Sequence, residues 1–162
     1  MFIKKENVDY RESKLHEAVD LKTYIRKNIP LTDFMDFNID ELSDYSIKVS
    51  VPIEANGNHY GTAFGGSIAT LGILSGWALL QSKMNKERIN ATIVIKQSTT
   101  NYITPGLADF EAECADLSKE KWEEFKTSLL QNGKATLTLH SQLNSKGKLI
   151  AKQESIYVGL AK

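Results

Sequence analysis

The chain has 162 residues, of which 20 are Lys or Arg and 20 are Asp or Glu, so its formal net charge at pH 7 is zero. Such a balance disfavours nucleic acid and anionic membrane surfaces as main partners. The single cysteine, Cys114, excludes an internal disulfide and a cysteine-built zinc site. The first residues contain no apolar signal core, so we expect a soluble protein of the cytoplasm.

The length fits one domain, which we expect to cover residues 13–162 after a flexible N-terminal segment at residues 1–12. A helix is predicted from Lys14 to Asn28, because apolar residues recur there at helical spacing. Ser13 could cap this helix, and Pro30 would end it.

Period-two alternation and β-branched runs predict the strands, because successive side chains of a strand point to opposite faces. The clearest case is Tyr45 to Ile53, in which every odd-numbered position is apolar. A second helix is predicted between Ser118 and Gly133. The other predicted strands are 35–39, 90–103, 109–114, 135–143 and 149–160.

Residues 61–80 form a run of twenty without a charged side chain. Such a run is either a membrane span or the buried helix of a compact domain. Its five glycines favour the buried helix, whose continuous part is expected to begin near Gly65. Gly72 and Gly76 form a small-xxx-small pattern, which suits any helix that another backbone approaches closely. With the strands, this predicts an α+β fold in which a curved antiparallel sheet wraps around a long central helix.

The stretch from Asn56 to Ser67, with the helix that follows to Trp77, resembles the thioesterase domain of the YiiD C-terminal type, a branch of the hotdog-fold superfamily. Further similar stretches are Tyr102–Pro105, Asp109–Phe110, Gly133–Ala135 and Tyr157–Val158, so the resemblance covers roughly residues 10–160. It implies a hotdog fold whose subunits pair through a continuous sheet, as a homodimer or a dimer of dimers. It also implies an acyl thioester of coenzyme A or of acyl carrier protein as the substrate.

Thioester hydrolysis needs a polarised carbonyl and an activated water. The leading N–H groups of a helix can polarise the carbonyl, and Gly65 and Gly66 carry no side chain that would block its approach. The alternative is that these glycines only let the helix pack against the sheet. The predicted substrate-binding residues are Asn56, Thr62, Phe64 and Ser67.

The group that would activate the water is less evident. The resemblance places the carboxylate of many related acyl-CoA thioesterases at Ile73, and the histidine that often precedes the glycine pair at Phe64. The remaining candidates are Asn56, Asn58 and His59. Asn58 could hold a water or the thioester, and His59 could act as a general base. All three could instead be turn residues.

Two other hypotheses are open. The absent carboxylate favours a non-catalytic module that binds acyl-CoA or acyl carrier protein. A hydratase or dehydratase is the third, but the histidine and acid pair of those hotdog enzymes has no counterpart in this sequence. We expect Cys114 to be packed in the core and His140 to be structural or exposed on its strand. The alternating acids Asp109, Glu111 and Glu113 are expected to form a solvated strand face, and neither a metal ion nor a cofactor is expected.

Overall fold

The computed structural model describes residues 5–162, with side chains from residue 9 onward. The helices are α1 (Lys5–Asn28), α2 (Pro30–Phe34), α3 (Ile53–Asn56), α4 (Gly65–Lys86) and α5 (Lys119–Asn132). The strands are β1 (Asn38–Leu42), β2 (Ile47–Val51), β3 (Ala91–Tyr102), β4 (Phe110–Cys114), β5 (Lys134–Ser145) and β6 (Lys148–Ala161). Between residues 5 and 162, no helix is both long and apolar enough to cross a membrane.

The six strands form one antiparallel sheet in the order β1-β2-β4-β5-β6-β3. Alternate residues of β2 and β5 are buried, as the period of two predicts, and α4 contacts β2 to β6 on the buried face. The predicted α+β hotdog fold is therefore confirmed: a single sheet curves around a long central helix. The strands β1 and β3 form its two edges.

The glycines of the small-xxx-small pattern lie where the sheet comes closest to α4. Gly76 faces the phenol of Tyr157, and the hydroxyl of Tyr157 donates a hydrogen bond of 2.7 Å to the carbonyl of Ile73. Gly72 faces the carboxamide of Gln153 in the same way. A methyl group at either glycine would collide with these side chains, so the pattern indeed serves a close approach between helix and sheet.

We expect Gly76→Ala to lower the free energy of unfolding by about 1–3 kcal/mol, the usual cost of overpacking. The added Cβ would lie 2.8 Å from a ring carbon of Tyr157, whose own position is fixed by its bond to the helix. Gly65→Ala is the control, because its Cβ would meet Tyr102 at an ordinary 3.5 Å. Urea unfolding measures the free energy of unfolding of both variants. A Gly76→Ala protein as stable as the wild type would show that the sheet moves to accommodate the methyl group.

The second predicted helix, α5, closes the concave face beyond the end of α4. Ser118 caps its start by accepting a bond of 3.1 Å from the N–H of Lys121, and Gly133 ends it in a left-handed conformation with φ 72°. The ring of Phe125 lies against Gly159, and Trp122 donates a bond of 2.7 Å to the carboxylate of Glu87, the C-cap residue of α4.

The first helix begins earlier than predicted. Residues 5–13 contain no glycine or proline and several good helix formers, so α1 extends back to Lys5 and Ser13 lies within it instead of capping it. The flexibility of residues 1–12 stays a prediction, and residues 1–4 lie outside the described part.

The predicted strand at residues 35–39 is wrong in its bounds. The chain first forms α2, and Asp36 then takes a left-handed conformation with φ 52°. Only after this turn does β1 begin, at Asn38, and pair with β2.

Candidate active site

The loop at residues 57–64 connects α3 to α4 and determines where the central helix starts. Gly57 and Ala63 form an antiparallel bridge across the loop. The N–H of Ala63 donates 2.8 Å to the carbonyl of Gly106, and the N–H of Phe64 donates 2.8 Å to the carbonyl of Asn56. The loop is therefore held on both sides by backbone hydrogen bonds.

Asn58 organises the interior of this loop. Its Oδ1 accepts from the N–H of Tyr60 at 3.0 Å and from the N–H of Thr62 at 3.2 Å, and its Nδ2 lies 3.0 Å from the hydroxyl of Thr62. Gly61 completes the turn at φ 73°, a conformation that favours glycine. The structure thus brings two predicted site residues, Asn58 and Thr62, together, with their side chains bonded to each other.

Asn56 lies beneath the loop and is only 1% exposed. Its Nδ2 donates to the carbonyls of Met35 and Pro52, both at 2.8 Å, while its Oδ1 has no partner among the described residues. Asn56 therefore anchors the loop to the end of α2 and has almost no surface open to a substrate. His59, by contrast, is exposed at the loop tip, where its ring lies 3.8 Å from that of Tyr60.

Among the described residues, the backbone donors at the start of α4 have no acceptor. The helix makes its first hydrogen bond from the N–H of Ile68 to the carbonyl of Phe64, at 3.0 Å, and no side chain of Phe64 caps it. The N–H groups of Gly65, Gly66 and Ser67 precede that bond and have no acceptor within the helix. Because the helix dipole adds partial positive charge here, this end can stabilise developing negative charge.

Two aromatic rings flank the glycine pair. The ring of Phe64 covers the Cα of Gly66, and Tyr102 packs beside Gly65, with its hydroxyl donating 2.8 Å to the Gly65 carbonyl. Phe64 is 54% and Tyr102 53% exposed. The amides at the helix start thus lie between two aromatic rings that are open to solvent. Sequence reasoning did not single out Tyr102 as a site residue; its only signal was the similar stretch Tyr102–Pro105.

Ile73 lies eight residues along α4 from Gly65, which corresponds to about 12 Å. It belongs to a half-exposed stripe of the helix with Thr70 and Trp77, and Trp77 donates 3.0 Å to the carbonyl of Ile93 on β3. The central helix carries no Asp or Glu. The chain therefore offers groups that can bind a carbonyl, but its central helix offers no carboxylate base.

The other reactive groups lie elsewhere. His140 is exposed on β5, with Nδ1 2.7 Å from Asp116 and Nε2 3.2 Å from Glu154, and the bond to Asp116 raises the pKa of His140. Cys114 is buried, which raises its pKa to about 11, so the thiol is packed as expected. Asp109 accepts from the N–H of Ile53 at 2.8 Å. In the described part of the chain, no group of three or more His, Cys, Asp or Glu side chains has an arrangement that could hold a metal ion.

A groove of about 760 Å³ lies between α1 and α4 and is lined by residues such as Tyr10, Tyr24 and Gln81. Gln81 is sixteen residues along α4 from Gly65, which corresponds to about 24 Å. The groove is therefore separate from the loop and the glycine pair, and the candidate site is the start of α4.

Comparison with known proteins gives both sequence and structural matches. The family model described as Putative thioesterase (yiiD_Cterm) matches residues 18–161. Among solved structures, a protein of unknown function from Chlorobaculum tepidum TLS has a TM-score of 0.85 at 23% identity, covering 90% of this chain and 94% of that one. A structure from Shewanella oneidensis, called a putative thioesterase, has a TM-score of 0.79 at 27% identity, covering 90% and 98%. One from Pseudomonas aeruginosa, called a probable thioesterase, has a TM-score of 0.77 at 22% identity, covering 89% and 96%.

Proposed function

Since this chain belongs to the family described as Putative thioesterase (yiiD_Cterm), we propose that it hydrolyses acyl thioesters of coenzyme A or of acyl carrier protein in the cytoplasm. The observation that carries this proposal is the uncapped start of α4, where free N–H groups lie between two exposed aromatic rings. Donors that are already oriented stabilise an oxyanion at little cost in reorganisation.

In the proposed reaction, the N–H groups of Gly65 and Gly66 bind the thioester oxygen. A water attacks the carbonyl carbon, a C–O bond forms, and the C–S bond then breaks to release the free acid and the thiol. The proton lost by the water ends on the thiol sulfur. Phe64, Thr62 and Ser67 line the approach to the glycine pair, and no cofactor takes part.

His59 is the proposed general base, and Asn58 the residue that holds the loop and the water in place. His59 lies in the loop that runs directly into Gly65, and α4 carries no competing carboxylate.

We expect Asn58→Ala to lower turnover at least about tenfold, because one side chain orders the loop through several bonds. Steady-state rates of Asn58→Ala and His59→Ala measure this. Rates within twofold of wild type for both variants would show that the loop does not supply the general base. Glu54 and Asp109 would then be the next candidates to mutate.

We further propose that the working unit is a homodimer, or a dimer of such dimers, joined along β3. This twelve-residue strand is an edge of the sheet and exposes Ile95 at 40%. The first half of β3, residues 91–95, is mostly apolar, and a long unpaired edge with an apolar segment readily pairs with another strand. The half-exposed stripe of Thr70, Ile73 and Trp77 on α4 lies beside β3. Pairing of two β3 strands would therefore cover both the strand edge and this stripe. Light scattering at micromolar concentration tests this, and a monomer would contradict it.

The alternative is a non-catalytic module that binds acyl-CoA or acyl carrier protein, and Ile73 at the carboxylate position is the observation that favours it. A panel of acyl-CoA and acyl-carrier-protein thioesters, with the released thiol measured by a colour reaction, separates the two functions. Thiol release that depends on enzyme concentration supports hydrolysis. Calorimetric binding of the same thioesters without thiol release would support the binding module.

A further inference from the structure

Tyr102 connects the edge strand to the start of the central helix. It is the last residue of β3, and its hydroxyl donates a hydrogen bond of 2.8 Å to the carbonyl of Gly65, 37 positions away in the chain. The ring lies 3.5 Å from the position that a Cβ of Gly65 would occupy. The strand itself is fixed up to this point, because Tyr102 pairs with Ala151 and the next N–H donates 2.8 Å to Ile150.

The carbonyl that Tyr102 binds belongs to the same peptide unit as the N–H of Gly66. A peptide unit is planar, so fixing the direction of the Gly65 C=O also fixes the direction of the Gly66 N–H. A hydrogen bond to the oxygen also polarises the unit, which makes its N–H a stronger donor. Gly66 needs such support more than most residues, because glycine has the widest choice of backbone conformations.

We infer that Tyr102 is a positioning residue for thioester hydrolysis, which orients and polarises the Gly66 N–H toward the thioester oxygen. This inference rests on the proposed function. Tyr102 does not touch the reacting atoms and acts through the peptide unit. Because β3 is also the edge proposed to pair with a second subunit, the hydroxyl would connect the carbonyl-binding peptide unit to that proposed interface.

Tyr102→Phe tests the inference, because it removes only the hydroxyl and keeps the ring beside Gly65. We expect kcat to fall about threefold to tenfold, the loss of one hydrogen bond, with KM changed less than twofold. Tyr24→Phe is the control, because it removes the hydroxyl of a tyrosine that is similarly exposed, at 49%, and that lies on α1, away from the start of α4. Thermal unfolding of both variants shows whether the fold is kept.

A second measurement does not depend on activity. In a ¹⁵N–¹H NMR spectrum, the Gly66 amide proton of Tyr102→Phe should move to lower frequency, as expected for a peptide unit that has lost a bond at its carbonyl. In Tyr24→Phe it should stay in place. An active wild type with unchanged kcat and an unchanged Gly66 resonance in Tyr102→Phe would overturn the inference. If the wild type releases no thiol while the resonance still moves in Tyr102→Phe, the hydrolytic function is overturned. The positioning role of Tyr102 in hydrolysis is overturned with it, and only the effect of its hydrogen bond on the Gly66 peptide unit remains.

Discussion

Gly66→Val should lower thioester turnover about a hundredfold or more while the protein remains folded. The side chain of valine would enter the space that the ring of Phe64 now covers, and it would shield the N–H groups beside it. Losing one oxyanion donor alone costs about 10²–10³ in rate. The change in stability should be smaller, because Gly66 and the ring it displaces are both exposed.

Gly66→Ala serves as the graded comparison. Its single methyl group also meets the Phe64 ring but shields the amides less, so its turnover should lie between those of wild type and Gly66→Val. Initial rates and melting temperatures of the three proteins measure this. If Gly66→Val melts far below wild type and purifies as aggregate, the glycine is a packing residue and the carbonyl-binding assignment loses its support.

Ile95→Lys should yield a monomer whose turnover is reduced at least about a hundredfold. In the proposed dimer the edge of β3 is buried, and burying an unpaired ammonium group is costly. Loss of the partner removes one wall of the site, and misplacement by about 1 Å at a reacting centre can already cost 10²-fold in rate. Light scattering and initial rates measure the two effects.

Thr136→Lys is the matched control, because it places the same charge at an exposed position of β5, away from the edge strand. It should stay dimeric and active. A monomeric Ile95→Lys with full activity would show that one subunit holds a complete site. A dimeric Ile95→Lys would place the subunit interface elsewhere.

Local patterns were sufficient to predict most of the fold. The alternation at Tyr45 to Ile53 predicted β2, the glycine-rich onset predicted a helix from Gly65, and both are confirmed. Ser118 and Gly133 likewise bound α5 as predicted. These signals work because each depends on a repeat or a cap within a few residues. The bounds of β1 were predicted wrongly, because Asp36 adopts a left-handed backbone conformation there. No glycine marks this turn in the sequence.

The candidate site depends on contacts that sequence spacing does not reveal. Asn56 and Asn58 look alike in a turn-rich stretch, yet Asn56 is buried against the Met35 carbonyl, 21 positions away, whereas Asn58 bonds within its own loop. The bond from Tyr102 to Gly65 is equally non-local. Which polar residue faces the substrate and which supports the loop is decided by the packing of the sheet around the helix.

The most direct test of carbonyl binding at the helix start uses an acyl-CoA analogue in which a CH₂ group replaces the thioester sulfur. This ketone keeps the carbonyl and cannot be hydrolysed, so it can be titrated while ¹⁵N–¹H spectra are recorded. The site proposed here predicts that the amide resonances of Gly65 and Gly66 shift most, and that Gly66→Val abolishes these shifts. Shifts concentrated instead on α1 and the last turns of α4, around Tyr24 and Gln81, with Gly65 and Gly66 unchanged, would contradict it.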